Sequence, residues 1–345
     1  MTPLESKNMS DSSISRRRFL AATACSWMLS HTCTTQAAGI EALYANLKSE
    51  DYFVGPLHEE VRVVDRKVFT EGPASAPDGR IFFTNGSVAK ILVWDPAQKV
   101  LSTFRENSGE ANGLLFDAQG RLLACEAKTG RVTRTDMKTG AIEVLVQNYN
   151  GHPLGAPNDL TIDSKGRVYF TSRFPNDDAK QHNVNSVYRI DVDGRIVRVL
   201  HEPDIHMPNG VEISPDGKTL YLIESDGREN RNRCIFAYEL REDGSVEKAR
   251  RLIDFYPGRG GDGLCVDVTG NLYIAAGLHK TRGTHETLDT RPGIHVISPT
   301  GKLLAYLQTP TDTLTNCVFG GFDRRTLFIT CGDRLLSVRT RYAGP

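Results

Sequence analysis

The sequence predicts an all-β chain folded as a six-bladed β-propeller, with the last blade closed by an N-terminal strand. Three observations carry this. A strand–turn–strand pattern recurs six times; 31 Gly and 16 Pro among 345 residues favour tight turns over long helices; and the final repeat ends one strand short. Length alone, at about 150 residues per domain, suggests two domains. The internal period argues for one, because repeats of roughly 40 to 54 residues with four strands each are the size of propeller blades.

The first turn of each repeat shows the pattern best: Asp78-Gly79-Arg80, Asp117 to Arg121, Asp163 to Arg167, Asp216-Gly217-Lys218, Asp267 to Asn271 and Asp323-Arg324-Arg325. Alternating apolar runs follow, such as Ile81-Phe82-Phe83 and Val168-Tyr169-Phe170, and a second hairpin completes each unit. Six separate sheets would expose twelve edges, and closing them into a ring leaves few. After Asn316 there is room for three strands, so Val61–Val68 is expected to supply the outer strand of blade six. The expected domains are an export signal over 1–37, a connector over 38–60 and the propeller over 61–345.

Ser15-Arg16-Arg17-Arg18-Phe19-Leu20 precedes a short apolar stretch ending at Leu29, with small residues at Thr35 and Ala37. This resembles a twin-arginine export signal cleaved before Ala38. It implies a twin-arginine translocase as partner during export and a periplasmic or secreted product. The apolar stretch is too short to span a bilayer, so no stable membrane anchor is expected. Lys+Arg and Asp+Glu both number 42, which leaves no basic excess for nucleic acid. Cys25 and Cys33 leave with the signal. The five others follow no C-x-x-C or Cys/His spacing and read as buried thiols, not zinc ligands.

Before each innermost strand stands a polar residue followed, in most repeats, by a small one: Glu71-Gly72, Asn112-Gly113, Asn158-Asp159, Asn209-Gly210, Asp262-Gly263 and Asn316-Cys317. Asn-Gly and Asp-Gly are also ordinary turn pairs. These six, however, recur in phase at the strand start, which places them on one face around the propeller axis. Glu71 and Asp262 would repel there unless a cation sat between them. Two carboxylates with amide oxygens and no thiolate suit one divalent ion, Ca²⁺ first, with Mg²⁺, Mn²⁺ and Zn²⁺ as alternatives.

Glu71-Gly72-Pro73, Ala156-Pro157-Asn158-Asp159-Leu160, Met207-Pro208-Asn209-Gly210 and Gly261-Asp262-Gly263-Leu264 together resemble the senescence marker protein, gluconolactonase and diisopropyl fluorophosphatase group of six-bladed propellers, over roughly residues 60 to 345. The resemblance implies a metal-dependent ester hydrolase with Glu71, Asn158, Asn209 and Asp262 as metal ligands. Two positions depart from it. Ala156 stands where the mammalian lactonases of the group have Arg, and their substrate-contacting Glu falls near Asn176. Arg173 can offer a cation from the same wall.

Loops between second and third strands are long in blades three to five (Ser172 to Asn185, Ser225 to Arg233, Gly277 to Pro292) and should roof the site. His182, His279 and His285 lie in them, while His152 and His206 precede blades three and four; with no fixed spacing they select no general base. The expected reaction is opening of a lactone by water, assisted by the metal as Lewis acid. Asp262 is the candidate base or nucleophile, Asp159 orients substrate or water, and Asn112 contacts substrate. Phosphotriester hydrolysis on the same face, and a non-catalytic ligand-binding propeller, are the alternatives.

Overall fold

The computed structural model of the protein describes residues 43–174 and 183–345. The export signal, Cys25, Cys33, Asn176 and His182 lie outside the described residues.

Six antiparallel four-stranded sheets follow one another in chain order. Each innermost strand touches the next, and that of blade six returns to touch that of blade one, closing the ring. The innermost strands are Thr70–Ser75, Ala111–Phe116, Ala156–Ile162, Pro208–Ile213, Gly261–Val266 and Leu314–Gly320.

The recurrent turn has a local cause. Asp163 Oδ1 accepts the backbone N–H of Lys165 and Arg167, while its Oδ2 accepts Arg167 Nε at 2.6 Å. Asp117 and Arg121 repeat the arrangement, with Arg121 Nε 2.7 Å from Asp117 Oδ2. Gly166 takes φ +79°, which an L side chain adopts only under strain. An Asp, a Gly and an Arg at these offsets are therefore what the tight hairpin requires.

A blade cannot bury its faces alone, and the apolar residues form six clusters, one at each blade interface. Phe82, Val93 and Ala124 join blades one and two. Ile81, Phe83 and Trp94 meet Phe328 and Leu335 where blade one meets blade six. The five described cysteines are buried and free, as expected, with Cys265 Sγ 3.6 Å from Cys317 Sγ at the interface of blades five and six.

The ring is closed by an N-terminal strand, but not by Val61–Val68. Phe53–Arg62 pairs antiparallel with Arg334–Thr340, from Phe53 opposite Thr340 to Arg62 opposite Arg334. The segment expected to connect thus forms most of the outer strand, and Asp65–Lys67 lies in the link to blade one. Three successive charged side chains suit that link, whereas Phe53 packs its ring edge-on against Tyr273 at 6.1 Å.

Candidate functional site at the mouth of the channel

In blades two to five, two residues of the innermost strand oppose one of its partner. The register jumps from Ala111 to Leu114, Pro157 to Leu160, Pro208 to Val211 and Gly261 to Leu264. The residues inside each jump are the predicted pairs. A bulge re-aims side chains that a regular strand would alternate between faces. In blade one the jump follows Glu71.

Blade six departs from the expected pairing. Its register shift lies between Leu314 and Asn316, so Thr315 stands at the first position and Asn316 at the second. Asn316 Oδ1 accepts the N–H of Cys317 at 2.8 Å, just as Asp159 Oδ1 accepts that of Leu160 at 3.0 Å. Asn316 is therefore the counterpart of Asp159, and Asn316-Cys317 is not the sixth pair. Thr315 Oγ1 instead donates to the Thr70 carbonyl, 2.9 Å away, tying blade six to blade one.

The second positions explain how tightly the strands converge. A Cβ on Gly72 would lie 2.0 Å from the Asn112 carbonyl oxygen, and one on Gly263 would lie 2.0 Å from Asn316 Cγ. Glycine there lets the next strand's backbone close in at Gly72 and the Asn316 amide close in at Gly263. The space left on the axis is taken by Asp159 and Asn316, whose Nδ2 donates to Asp159 Oδ2 at 3.3 Å. Asp159 therefore forms the floor of the site, with burial pushing its carboxyl up to about 7. Glu212 is pushed up to about 7 by burial as well, and accepts Thr161 Oγ1 at 2.7 Å.

At the first positions, Glu71, Asn158 and Asn209 are buried. Burial, and then the negative charge of Asp262, hold Glu71 well above the usual carboxylate range, while Arg173 opposes the shift. Glu71 Oε2 accepts the N–H of Gly72 at 3.0 Å. Asn209 Nδ2 donates to Asp262 Oδ1 at 2.6 Å and to Ser225 Oγ at 3.0 Å. Among the described residues, the side chains of Asn112, Asn158 and Arg173 make no hydrogen bond or ion pair. Arg173 pairs in register with Ala156, which brings a guanidinium to the wall where Ala156 offers none.

The sequence reading missed Arg259. Its guanidinium is buried, donates to Asp262 Oδ2 at 2.6 Å, and holds the Leu314 carbonyl at 3.1 Å. A lone Arg within Gly258–Gly261 carried no periodic signal, since its role depends on the loop lying against blade six. His279 Nε2 bonds the Thr309 carbonyl at 2.9 Å, and the backbone N–H of His206 donates to Glu224.

The donor set fits a hard divalent cation. Among the described residues, the side-chain oxygens of Glu71 and Asn158 are buried without a side-chain hydrogen-bond partner, and the negative charge of Asp262 bears on Glu71. Among the described residues no three His, Cys, Asp or Glu cluster as metal ligands. The expected set needs only two of those types, because its other members are amides. A cavity of about 670 Å³ lies elsewhere, on the opposite face beside Asp78, Arg80 and Phe322. It brings together no comparable set of converging, unpartnered oxygen donors.

The family model for the SMP-30/gluconolactonase/LRE-like region matches residues 69–333. The chain is 30% identical over 305 residues to a gluconolactonase of Zymomonas mobilis, covering 80% of each. It is 27% identical over 275 residues to a pentonolactonase of Haloferax volcanii, covering 78% of this chain and 84% of that one. A gluconolactonase structure from Xanthomonas campestris matches with a TM-score of 0.71 at 27% identity, covering 84% of this chain and 91% of that one. With the match running through every blade and across Glu71, Asn158, Asn209 and Asp262, the chain belongs to the SMP-30/gluconolactonase/LRE-like family.

Proposed function

We propose that the protein is a metal-dependent lactonase that opens a cyclic carboxylic ester by adding water. The observation that carries this is the convergence of Glu71, Asp262 and the Asn158 and Asn209 amides at the channel mouth, in a chain whose relatives include a gluconolactonase and a pentonolactonase. Glu71, Asn158, Asn209 and Asp262 would hold one divalent cation, Ca²⁺ first. Bound there, the ion supplies Lewis acidity toward the lactone carbonyl.

The chain's own groups do the rest. Asp262 takes a proton from the attacking water as its oxygen adds to the carbonyl carbon. The ring C–O bond then breaks, and the proton passes to the departing ring oxygen to leave a hydroxy acid. Arg259 fixes the orientation of the Asp262 carboxylate. Asn112, whose side chain makes no hydrogen bond among the described residues, hydrogen-bonds substrate, and Asp159 supports the floor through Asn316.

Assayed on a panel of lactones and phosphotriesters, the protein is expected to turn over lactones, to lose that activity to a chelator and to regain it with Ca²⁺. Chelator-insensitive lactone hydrolysis would remove the metal, and turnover of phosphotriesters alone would replace the reaction. We also assign residues 1–37 as the export signal. N-terminal sequencing of the exported protein should then begin near Ala38, and an intact Met1 outside the cytoplasm would refute the assignment.

A further inference from the structure

We propose that Arg233 is a positioning residue for the reaction, holding the loop from which Arg259 aims the Asp262 carboxylate; this rests on the lactonase reading above. Arg233 opens the third strand of blade four, Arg233–Leu240, and its side chain is fully buried. Its hydrogen-bond partners are backbone carbonyls. Nε donates to Asp226 at 2.9 Å, Nη1 to Pro257 at 2.7 Å and His285 at 3.2 Å, and Nη2 to Gly227 at 3.1 Å and Arg228 at 2.8 Å. Every N–H of the guanidinium is thereby used, and the Tyr256 ring lies 5.1 Å from its Cζ.

A guanidinium buried away from water is costly, and a full set of acceptors offsets the loss. Here the acceptors come from three segments: the blade-four loop, the link into blade five and the blade-five loop. The same carbonyls also join these segments to one another. The His285 N–H donates to the Gly227 carbonyl at 3.1 Å and the Thr287 N–H to the Pro257 carbonyl at 3.0 Å, so both carbonyls are shared with Arg233.

Pro257 stands two residues before Arg259, and the chain between them is pinned on both sides. A Cβ on Gly260 would lie 3.2 Å from Arg233 Cβ, and one on Gly258 would lie 2.3 Å from Thr290 Oγ1. The link therefore runs between Arg233 and the blade-five loop with no room to shift. It delivers Arg259, whose Nη2 donates to Asp262 Oδ2 at 2.6 Å while Nη1 holds the Leu314 carbonyl. Where the link sits sets the angle of the proposed base.

The backbone of Arg233 does separate work. It pairs in register with Ser225, the acceptor of Asn209, and its carbonyl accepts the Phe255 N–H at 2.8 Å. Those bonds survive a change of side chain. Only the guanidinium ties the Pro257 carbonyl to blade four, and lysine, with three donors on a tetrahedral nitrogen, cannot replace a planar fork.

The test measures lactone kinetics on the full-length protein and on Arg233→Lys, Arg259→Gln and the double variant, at a temperature where each is fully folded. Arg233→Lys is expected to lower kcat about tenfold while KM changes less than about twofold, the pattern of a misplaced catalytic group. Acting through Arg259, it should lower kcat by less than about twofold more when added to Arg259→Gln. As a control, Arg189→Lys changes a buried arginine that bonds Asp191 and the Asp243 carbonyl; it should lower the melting temperature and leave kcat unchanged. Multiplied losses in the double variant, or unchanged kcat in Arg233→Lys, overturn the proposal and leave the lactonase reading standing.

If Arg233→Lys does not fold, Gly260→Ala decides, because its methyl pushes the link off Arg233 by a few tenths of an ångström. A lower kcat at constant KM supports the proposal, and an unchanged kcat overturns it. If the parent protein opens no lactone, the lactonase reading fails instead, and hydrogen exchange becomes the readout. Faster exchange at Gly258 to Asp262 and at the His285 and Thr287 amides, in Arg233→Lys or Gly260→Ala, supports Arg233 as the holder of the link; unchanged exchange there overturns it.

Discussion

Replacing Asp262 by Asn is expected to cut lactone turnover by roughly 10³-fold or more while leaving the propeller folded. The amide keeps an oxygen for Arg259, and the bond at the other end is regained once Asn209 turns its Oδ1, in place of its Nδ2, toward the new amide nitrogen. What disappears is a negative charge and a proton acceptor. The stability cost should be about 1 to 3 kcal/mol, from weakening the bond to a buried guanidinium. Steady-state kinetics beside a thermal melt separates the two effects. Retention of more than about a tenth of the activity would remove Asp262 from the chemistry.

Deleting the closing strand should have the largest effect on the fold. Phe53–Arg62 covers the otherwise open edge of Arg334–Thr340. Glu60 from the same strand accepts Ser337 Oγ at 2.6 Å and the Trp94 indole N–H at 3.2 Å, so one side chain bonds to blades six and one. A chain starting at Val63 loses these bonds and exposes the edge to pairing with other chains. We expect a melting temperature lower by about 10 °C or more, at roughly 2 °C per kcal/mol for a domain of this size. A chain starting at Lys48 keeps the strand and should melt like the parent. An unchanged melting temperature on starting at Val63 would mean that the ring does not depend on this strand.

What was legible in the sequence was whatever each blade must repeat. The Asp, Gly and Arg of the first turn recur because one carboxylate organises every such hairpin, and the polar pairs recur because a bulge stands at the head of each inner strand. The closing strand was misplaced because it is built once. Val61–Val68 has more β-branched residues, whereas Phe53–Arg62 contains Gly55, Pro56 and two successive Glu. An outermost strand tolerates these, since one of its edges needs no partner, and its register is irregular between Val54 and His58.

The site divides along the same line. Glu71, Asn158, Asn209 and Asp262 occupy repeated positions and could be found by phase. Arg259 acts from a loop that precedes blade five, and Thr315 is a local shift of one residue hidden by an Asn at the next position. Neither is periodic, so only spatial neighbours reveal them.

Closing the last blade with a strand from the other end of the chain also brings the two ends of the propeller together. Arg341 donates its N–H to the Tyr52 carbonyl at 2.9 Å, and Phe53 stands opposite Thr340. The backbone is thus nearly a closed loop, and its point of opening is a matter of gene order more than of architecture. A short linker from Pro345 to Leu47 would allow new termini at an exposed turn such as Asp193-Gly194, which holds none of the proposed ligands. The blade now sewn from two chain ends would become a continuous hairpin, and the blade opened in its place would inherit the seam.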